Sequence, residues 1–504
     1  MKTIYLKIRN LSLLLGTLVT VLAFFSCRKT KNDPILTLSN ITDTIPESGG
    51  SKTLSFTCNG QWSIDTTGFG WVNISPIAGS SGDASITLTA PANTTGISRT
   101  VILKVSSANG QDRRITVLQA PLIFPSYNTS PIAPDATGMG STAMQINANI
   151  KMGMNIWNTM EAPGGETGWG NPVITQSLID TLKKAGFNAI RLPCGYWNQG
   201  HMNKTTGKID DAWLNRIKEV VQYCVNDDMY VLINRHHDGG DCTLTGRNLD
   251  SAKAIHKAVW EQVATTLRDF DEHVMFASLN EPGAPTLTLP AATVLHDYHQ
   301  IFIDAVRSTG GKNAYRTLVL QAPNTSLDLM NYFFPGGLPG MPVDKVPDKL
   351  MLEFHWYSPP NFCLLRSDVS WGKQWRYWGA NLKSTTDPEH NSDPDYEEAF
   401  MERNMQWARK NFVDKNIPVL IGEYGAENHA VPYNDNGVFH PQLLGQPADS
   451  ILSLTSTAHF FGHMVRSARA NGLSTFLWAG VINRQAEAIE NKQQLDSLRS
   501  GAGY

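Results

Sequence analysis

At 504 residues the chain is too long for one ordinary domain, and roughly two to four are expected. Hydrophobic residues at 41%, charged residues at 17% and a formal net charge of −3 exclude a disordered or strongly basic chain. No basic stripe interleaves with the aromatics, so a nucleic-acid partner is excluded as well.

Residues 1–26 open with Lys2, Lys7 and Arg9 and continue through an apolar run from Leu11 to Phe25, the pattern of a secretory signal rather than of a folded element. Phe24-Phe25-Ser26-Cys27 resembles a bacterial lipoprotein cleavage box. That resemblance implies a lipid on Cys27, a polar tether over 27–34, and attachment to the outer membrane on its periplasmic or outer face. Nothing downstream is long and apolar enough to span a bilayer. Cys58, Cys194, Cys224, Cys242 and Cys363 remain, an odd set without CxxC spacing. This argues against a disulfide framework and against zinc. Cys194 and Cys224 fall in apolar patterns and read as core fillers.

Residues 35–119 read as a small all-β sandwich. Leu54, Phe56, Ile86, Leu88, Val101, Leu103, Val105, Ile115 and Val117 follow period-two alternation. Gly49-Gly50, Ser81-Gly82-Asp83 and Asn109-Gly110 mark turns between strands. Gln61-Trp62-Ser-Ile, Trp71-Val-Asn-Ile-Ser-Pro76, Asn93 with Arg99, and Val117-Leu-Gln119 resemble the BACON domain, an immunoglobulin-like module of Bacteroidetes carbohydrate-active lipoproteins. Trp62 and Trp71 are read as core rather than as a sugar platform, which leaves the sandwich as a spacer. Residues 120–142, rich in Pro, Ser, Thr and Gly and without periodicity, read as a linker.

From 143 to 495 strands and helices alternate. Predicted strands are Met152 to Trp157, Asn188 to Pro193, Tyr230 to Asn234, Val274 to Leu279, Thr317 to Gln321, Leu350 to Trp356, Ile417 to Glu423, and Ser474 to Trp478. Leu178, Ile179 and Leu182 share one face of a helix from about Thr175 that stops at Gly186. Trp213, Leu214, Ile217, Val220, Val221 and Cys224 keep helical spacing. Eight strands alternating with helices predict a (β/α)8 TIM barrel, with 496–504 as a tail.

The predicted strand ends carry Arg191, His236-His237-Asp238, Asn280-Glu281, His355 with Tyr357, Glu423 and Trp478. Catalytic residues gather at such ends in this fold, and two facing carboxylates are what glycoside hydrolysis requires. Asn280-Glu281-Pro282, Phe354-His-Trp-Tyr357 and Gly422-Glu-Tyr-Gly425, in this order and spacing, resemble glycoside hydrolase family 5, retaining β-glycosidases with Glu at the fourth and seventh strands. Gly153-Met-Asn-Ile-Trp-Asn-Thr-Met160 and Glu166-Thr-Gly-Trp169-Gly-Asn-Pro172 are similar to motifs of subfamily four, endo-1,4-β-glucanases. Ile156-Trp157, Gly168 and Cys194 depart from the usual residues there. The resemblance implies Glu281 as acid/base and Glu423 as nucleophile, aligned by Arg191 and Tyr357. It also implies Asn280 on the sugar 2-hydroxyl, His236 and His355 lining the cleft with His237 among the supporting residues, and Trp478 under the sugar next to the cleaved bond.

Trp169, Trp371, Trp375 and Trp378 are read as further sugar-stacking aromatics, the last three in a polar loop after the sixth strand. No cofactor is expected. A metal at His236-His237-Asp238 is not expected either, because neighbouring strand residues face opposite ways and a metal needs three or four convergent ligands. The expected partner is a β-glucan polysaccharide (cellulose, xyloglucan or mixed-linkage glucan), acted on by a monomeric enzyme. The alternatives are a β-mannanase on the same fold and a catalytically silent glycan-binding lipoprotein.

Overall fold

The expected alternation of the N-terminal region appears as two sheets whose inward residues are buried and whose outward residues are exposed. One sheet orders Leu36–Leu38, Gly49–Cys58, Gly82–Pro91 and Asn73–Ser75; the other orders Thr42–Thr44, Asp112–Gln119, Arg99–Ser107, Trp62–Asp65 and Ala78–Gly79. Leu54, Phe56, Ile86 and Leu88 from the first meet Val101, Leu103, Val105, Ile115 and Val117 from the second in one core. Trp62 is buried edge-on to Phe56, and Arg99 lies 4.5 Å over the half-buried Trp71 ring. Both tryptophans therefore serve packing. These features come from a computed structural model that describes residues 33–504, apart from 67–68, 94, 96, 237–243, 246–248, 284–285, 334–339, 430–433, 436–437 and 440–446. The signal segment, Cys27, His237, Asp238 and Cys242 lie outside the described residues. Cys58, Cys194, Cys224 and Cys363 are free and buried. Among the described residues, no helix is long and apolar enough to cross a membrane.

The second unit runs from Ile123 to Tyr504. Eight parallel strands close into a barrel: β1 Gly153–Asn155, β2 Ala189–Leu192, β3 Tyr230–Asn234, β4 Val274–Ala277, β5 Leu318–Ser326, β6 Leu350–Trp356, β7 Val419–Tyr424 and β8 Ser474–Leu477. The helices around it are α1 Gln176–Ala185, α2 Asp211–Asn226, α3 Leu249–Leu267, α4 Leu289–Ser308, α5 Glu398–Asn411, α6 Pro447–Ala470 and α7 Lys492–Ala502, with a 3-10 turn, Leu327–Phe333, after β5. α1 begins where the Thr175 side chain accepts the Leu178 N–H, and ends at Gly186, whose φ of 104° suits only glycine. α2 buries the six residues read from its spacing. Inside the barrel, Ala189, Leu232, Met275, Val319, Met351, Leu420 and Phe476 form an apolar layer, sealed below by Ile146 and Ile150 of the short helix Ala143–Asn149 and its cap.

Two boundaries differ from expectation. Residues 123–142 do not form a free linker but a strap bonded along the barrel. Phe124 is buried against Gly207, and the Ser126 hydroxyl and Tyr127 N–H both donate to the Glu261 carboxylate. Ile132–Pro134 pairs with Gly310–Gly311, Ser141 donates twice to Glu272, and Lys349 donates to the carbonyls of Met139 and Ser141. Polar composition suggested a linker because these partners are distant in sequence. The expected tail 496–504 likewise belongs to α7, which buries Leu498 and Ala502.

The strap makes a prediction about truncation. A chain starting at residue 123 should fold and melt as the barrel does in the whole protein. One starting at residue 143 strands Glu261, Glu272 and Lys349, at about 1–3 kcal/mol each, and should melt roughly 5–10 °C lower by calorimetry. Equal melting of the two would show the strap to be dispensable.

Candidate active site

Above the apolar layer, the next inward positions of the same strands are polar. Two residues beyond Ala189 stands Arg191; beyond Leu232, Asn234; beyond Val319, Gln321; beyond Met351, Glu353. All four are fully buried, as is Asn155 of β1. Arg191 is the centre of this layer. Its Nη1 donates to Asn155 Oδ1 at 3.0 Å and to Glu423 Oε1 at 2.9 Å, and its Nη2 donates to Asn280 Oδ1 at 2.7 Å. Its Nε lies 3.1 Å from Glu353 Oε1, close enough for charge attraction but off the line of a hydrogen bond. The neighbouring Glu353 and Glu423 outweigh the burial cost of the guanidinium and raise its pKa, so its charge is permanent.

Glu423 reaches the mouth by an irregularity. β6 and β7 pair Phe354 with Ile421 but His355 with Glu423, so Gly422 is the extra residue and the strand bends there. Tyr357 donates its hydroxyl to Glu423 Oε2 at 2.9 Å. Burial and the nearby Glu423 keep that phenol well above its ordinary pKa, hence neutral and able to donate. Glu281 stands four residues past the end of β4. Its turn is tied by Leu279 N–H to Gln321 Oε1 (2.8 Å), Thr325 Oγ1 to the Asn280 carbonyl (2.7 Å) and Asn324 N–H to the Pro282 carbonyl (2.8 Å). The Glu281 side chain is 50% exposed, whereas that of Glu423 is 7% exposed.

One carboxylate oxygen from each glutamate, with a His355 ring nitrogen, lie within 4.8 Å of one another. Retaining glycosidases hold their carboxyl groups about 5–5.5 Å apart, inverting ones about 6.5–9.5 Å. The approach of these two oxygens falls on the short, retaining side of that division. These three groups could also face a cation, but the Arg191 guanidinium already supplies positive charge at Glu423. His355 Nδ1 is 2.8 Å from Glu281 Oε1, and its Nε2 is 3.2 Å from Glu353 Oε1. Burial pushes this imidazole down, yet Glu423, Glu281 and Glu353 together push it up to about 9. The Glu281–His355 pair therefore keeps a transferable proton through neutral pH.

With Oδ1 committed to Arg191, Asn280 leaves its amide N–H2 for a ligand. His236 is held by Asn234, 3.0 Å from its Nδ1, and stacks on Trp478 with ring centres 5.7 Å apart. Trp157 adds a second ring 6.3 Å from Trp478 and is itself covered by Arg484 at 4.5 Å. Beneath it the buried Glu161 accepts the N–H groups of Asn158 and Thr159; burial raises its pKa to about 7.

Arg191, His236, Asn280, Glu281, His355, Tyr357, Glu423 and Trp478 thus come together as read from sequence. The loop aromatics do not behave as a set. Trp378 is fully buried, donating Nε1–H to the Tyr396 carbonyl and packing edge-on to Phe460 at 4.9 Å, so it belongs to the core and not to a sugar-stacking wall. Trp375 is half-buried against Tyr396, while Trp169 and Trp371 are exposed at 46% and 63%. Sequence reading missed Asn155, Asn234, Gln321 and Glu353. The signal available was Glu353 itself, since a charge inside an apolar strand is almost never buried without a partner.

The model of the cellulase family (glycosyl hydrolase family 5) matches residues 151–479, and the viral BACON domain model matches 38–121. A xyloglucan-specific endo-β-1,4-glucanase of Bacteroides ovatus is 30% identical over 448 residues, 85% of this chain and 83% of that protein. Endoglucanase A of Clostridium longisporum is 32% identical over 333 residues, 61% of this chain and 58% of that one. Among solved structures, a Bacteroides ovatus family 5 xyloglucanase with a XXXG heptasaccharide superposes with a TM-score of 0.66 at 27% identity, covering 93% of this chain and all of that one. A xyloglucan-specific β-1,4-glucanase from a ruminal metagenomic library gives 0.63 at 30% identity, over 72% and 96% of the two chains.

The loop aromatics can be told apart by two measurements. Trp378→Ala should cost about 3–5 kcal/mol of stability in denaturant unfolding. Trp371→Ala should leave stability unchanged and weaken polymer hydrolysis more than turnover of a short aryl-glycoside. A destabilised Trp371→Ala, or equal loss on both substrates, would remove it from the substrate path.

Proposed function

The chain belongs to the cellulase family, glycosyl hydrolase family 5, with a BACON-type β-domain ahead of the barrel, and we propose that it is a retaining endo-β-1,4-glucanase. The observation that carries this reading is the pair Glu281 and Glu423, oxygens within 4.8 Å, at the ends of β4 and β7. Glu423, aligned by Arg191 and Tyr357, attacks the anomeric carbon through a carboxylate oxygen as Glu281 gives its proton to the glycosidic oxygen and that C–O bond breaks. Water then attacks the glycosyl–Glu423 ester, Glu281 takes the water proton, and Glu423 leaves as carboxylate. The half-exposed Glu281 can reach the leaving group, and the enclosed Glu423 is reached only by a bound sugar.

Xyloglucan is the substrate we place first. This is supported by the two xyloglucan-specific relatives above, one of which spans most of both chains. A β-mannanase is less favoured because none of the relatives described is one. A silent binding protein is disfavoured by the intact carboxylate pair. We further propose that Cys27 carries lipid and tethers the enzyme to the outer membrane, supported by the basic start, apolar core and Phe-Ser-Cys ending.

Reducing-sugar release from xyloglucan, barley glucan, carboxymethyl-cellulose and mannan tests the substrate. Activity on mannan alone would replace this reading. Glu281→Ala should lose about 10²–10⁴-fold on natural glycosides. It should keep forming the glycosyl-enzyme from an aryl-glycoside with a good leaving group, and added azide should yield the β-glycosyl azide. Glu423→Ala should be inactive on both. Proton NMR of the wild-type reaction should show β product first; initial α product would exclude retention.

The anchor has its own check. Cys27→Ser should move the protein out of the membrane fraction and abolish labelling by a fatty-acid probe. An unlabelled wild-type protein would remove the lipid.

A further inference from the structure

Glu353 touches no part of the mouth, yet every catalytic group leads back to it. It sits on β6 with no exposure, two residues before His355. Oε1 lies 3.1 Å from Arg191 Nε and 3.2 Å from His355 Nε2, and Oε2 accepts an N–H of Gln321. Gln321 in turn accepts the Leu279 N–H, two residues before Glu281. On the remaining side, a Cβ on Gly422 would sit 1.8 Å from Oε1, so the carboxylate lies against the backbone that precedes the nucleophile. Arg191 and His355 hold it ionised, its pKa below the ordinary range despite burial. Burying a third carboxylate is costly, and Glu423 already compensates Arg191. Its presence calls for a second purpose.

We propose that Glu353 is a positioning residue for the acid/base: by accepting the His355 Nε2–H it keeps hydrogen on that nitrogen, so that the proton shared with Glu281 is always the one at Nδ1. A carboxylate only accepts, so Nε2 must carry hydrogen. Arg191 Nη2, 3.4 Å from Nε2, has Asn280 Oδ1 as its acceptor and does not compete. In the resting enzyme one proton occupies the Glu281–His355 bond. Once it has gone to the leaving oxygen, the Glu281 carboxylate faces the Nδ1 lone pair. That opposition is relieved only when Glu281 takes a proton from the water that opens the glycosyl–Glu423 ester. Glu353 thus sharpens both acid and base steps without touching sugar. The charged groups facing His355 are Glu281 beyond β4, Glu353 beneath it, Glu423 on β7 and Arg191 on β2, with Tyr357 neutral.

This inference rests on the retaining-glucanase reading, and Glu353→Gln separates the two. Gln keeps the shape but removes one negative charge and can donate as well as accept, so hydrogen is no longer kept on Nε2. The pair then holds its proton less tightly, and the acid form is lost earlier as pH rises. The basic limb of kcat/KM on a xyloglucan oligosaccharide should move to lower pH by about one unit. kcat should fall roughly tenfold or more with KM within about twofold, while an aryl-glycoside with a good leaving group loses much less. An unshifted basic limb with equal loss on both substrates would reduce Glu353 to a structural role. Wild-type inactivity across the polysaccharide panel would instead defeat the glucanase reading. Should Glu353→Gln not fold, Glu353→Asp keeps the charge beside Arg191 but withdraws it from His355. It should shift the same limb in the same direction, and an unchanged profile would overturn the proposal.

Discussion

A permanently charged guanidinium with no exposure to water is the constraint on which this enzyme's architecture turns. Arg191 loses its hydration on folding, and that loss is tolerable only if carboxylates and amide oxygens replace water on its edges. Glu423, Glu353, Asn155 and Asn280 do so from four different places around the barrel. Those groups converge only when β1, β2, β6 and β7 and the turn after β4 hold their mutual register. The cation therefore couples strand register to the placement of both reacting carboxylates, and the same contacts that stabilise it align the chemistry.

The barrel supports this by separating two layers. The lower one is apolar and capped by a short helix, so it packs without polar demands. The upper one is almost wholly polar and internally bonded. A polar layer inside a protein is tolerable when its members satisfy one another, and such a network holds a single arrangement. The catalytic groups stand on a floor that has little freedom to repack.

Much of this could be read from the residues. Strands ending in Arg191, Glu281, His355 and Glu423 announce themselves because an apolar run stops at a polar group, a local signal. α2 and the sandwich core were legible for the same reason: periodicity is local. What stayed hidden depends on distant partners. Glu353 lies inside a run read only as a strand, and its meaning comes from Arg191 far away in the chain. The strap at 123–142 has no periodicity of its own and borrows its bonds from Glu261, Glu272 and Lys349. Trp378 sits in a loop long enough to bury part of itself against α6, where composition reads as exposed.

The closeness of Gly422 to Glu353 bears on how this protein can vary. A methyl group at 422 cannot be admitted while the Glu353 carboxylate occupies its place, and shortening residue 353 alone opens a void beside Arg191. Gly422 therefore has no tolerable single step away from glycine, and a shorter residue 353 leaves Arg191 less closely paired. Change here must be concerted, a longer side chain on β7 matched by a shorter one on β6. Lineages of this barrel should divide into those that keep the glycine with the buried acid and those that have exchanged both.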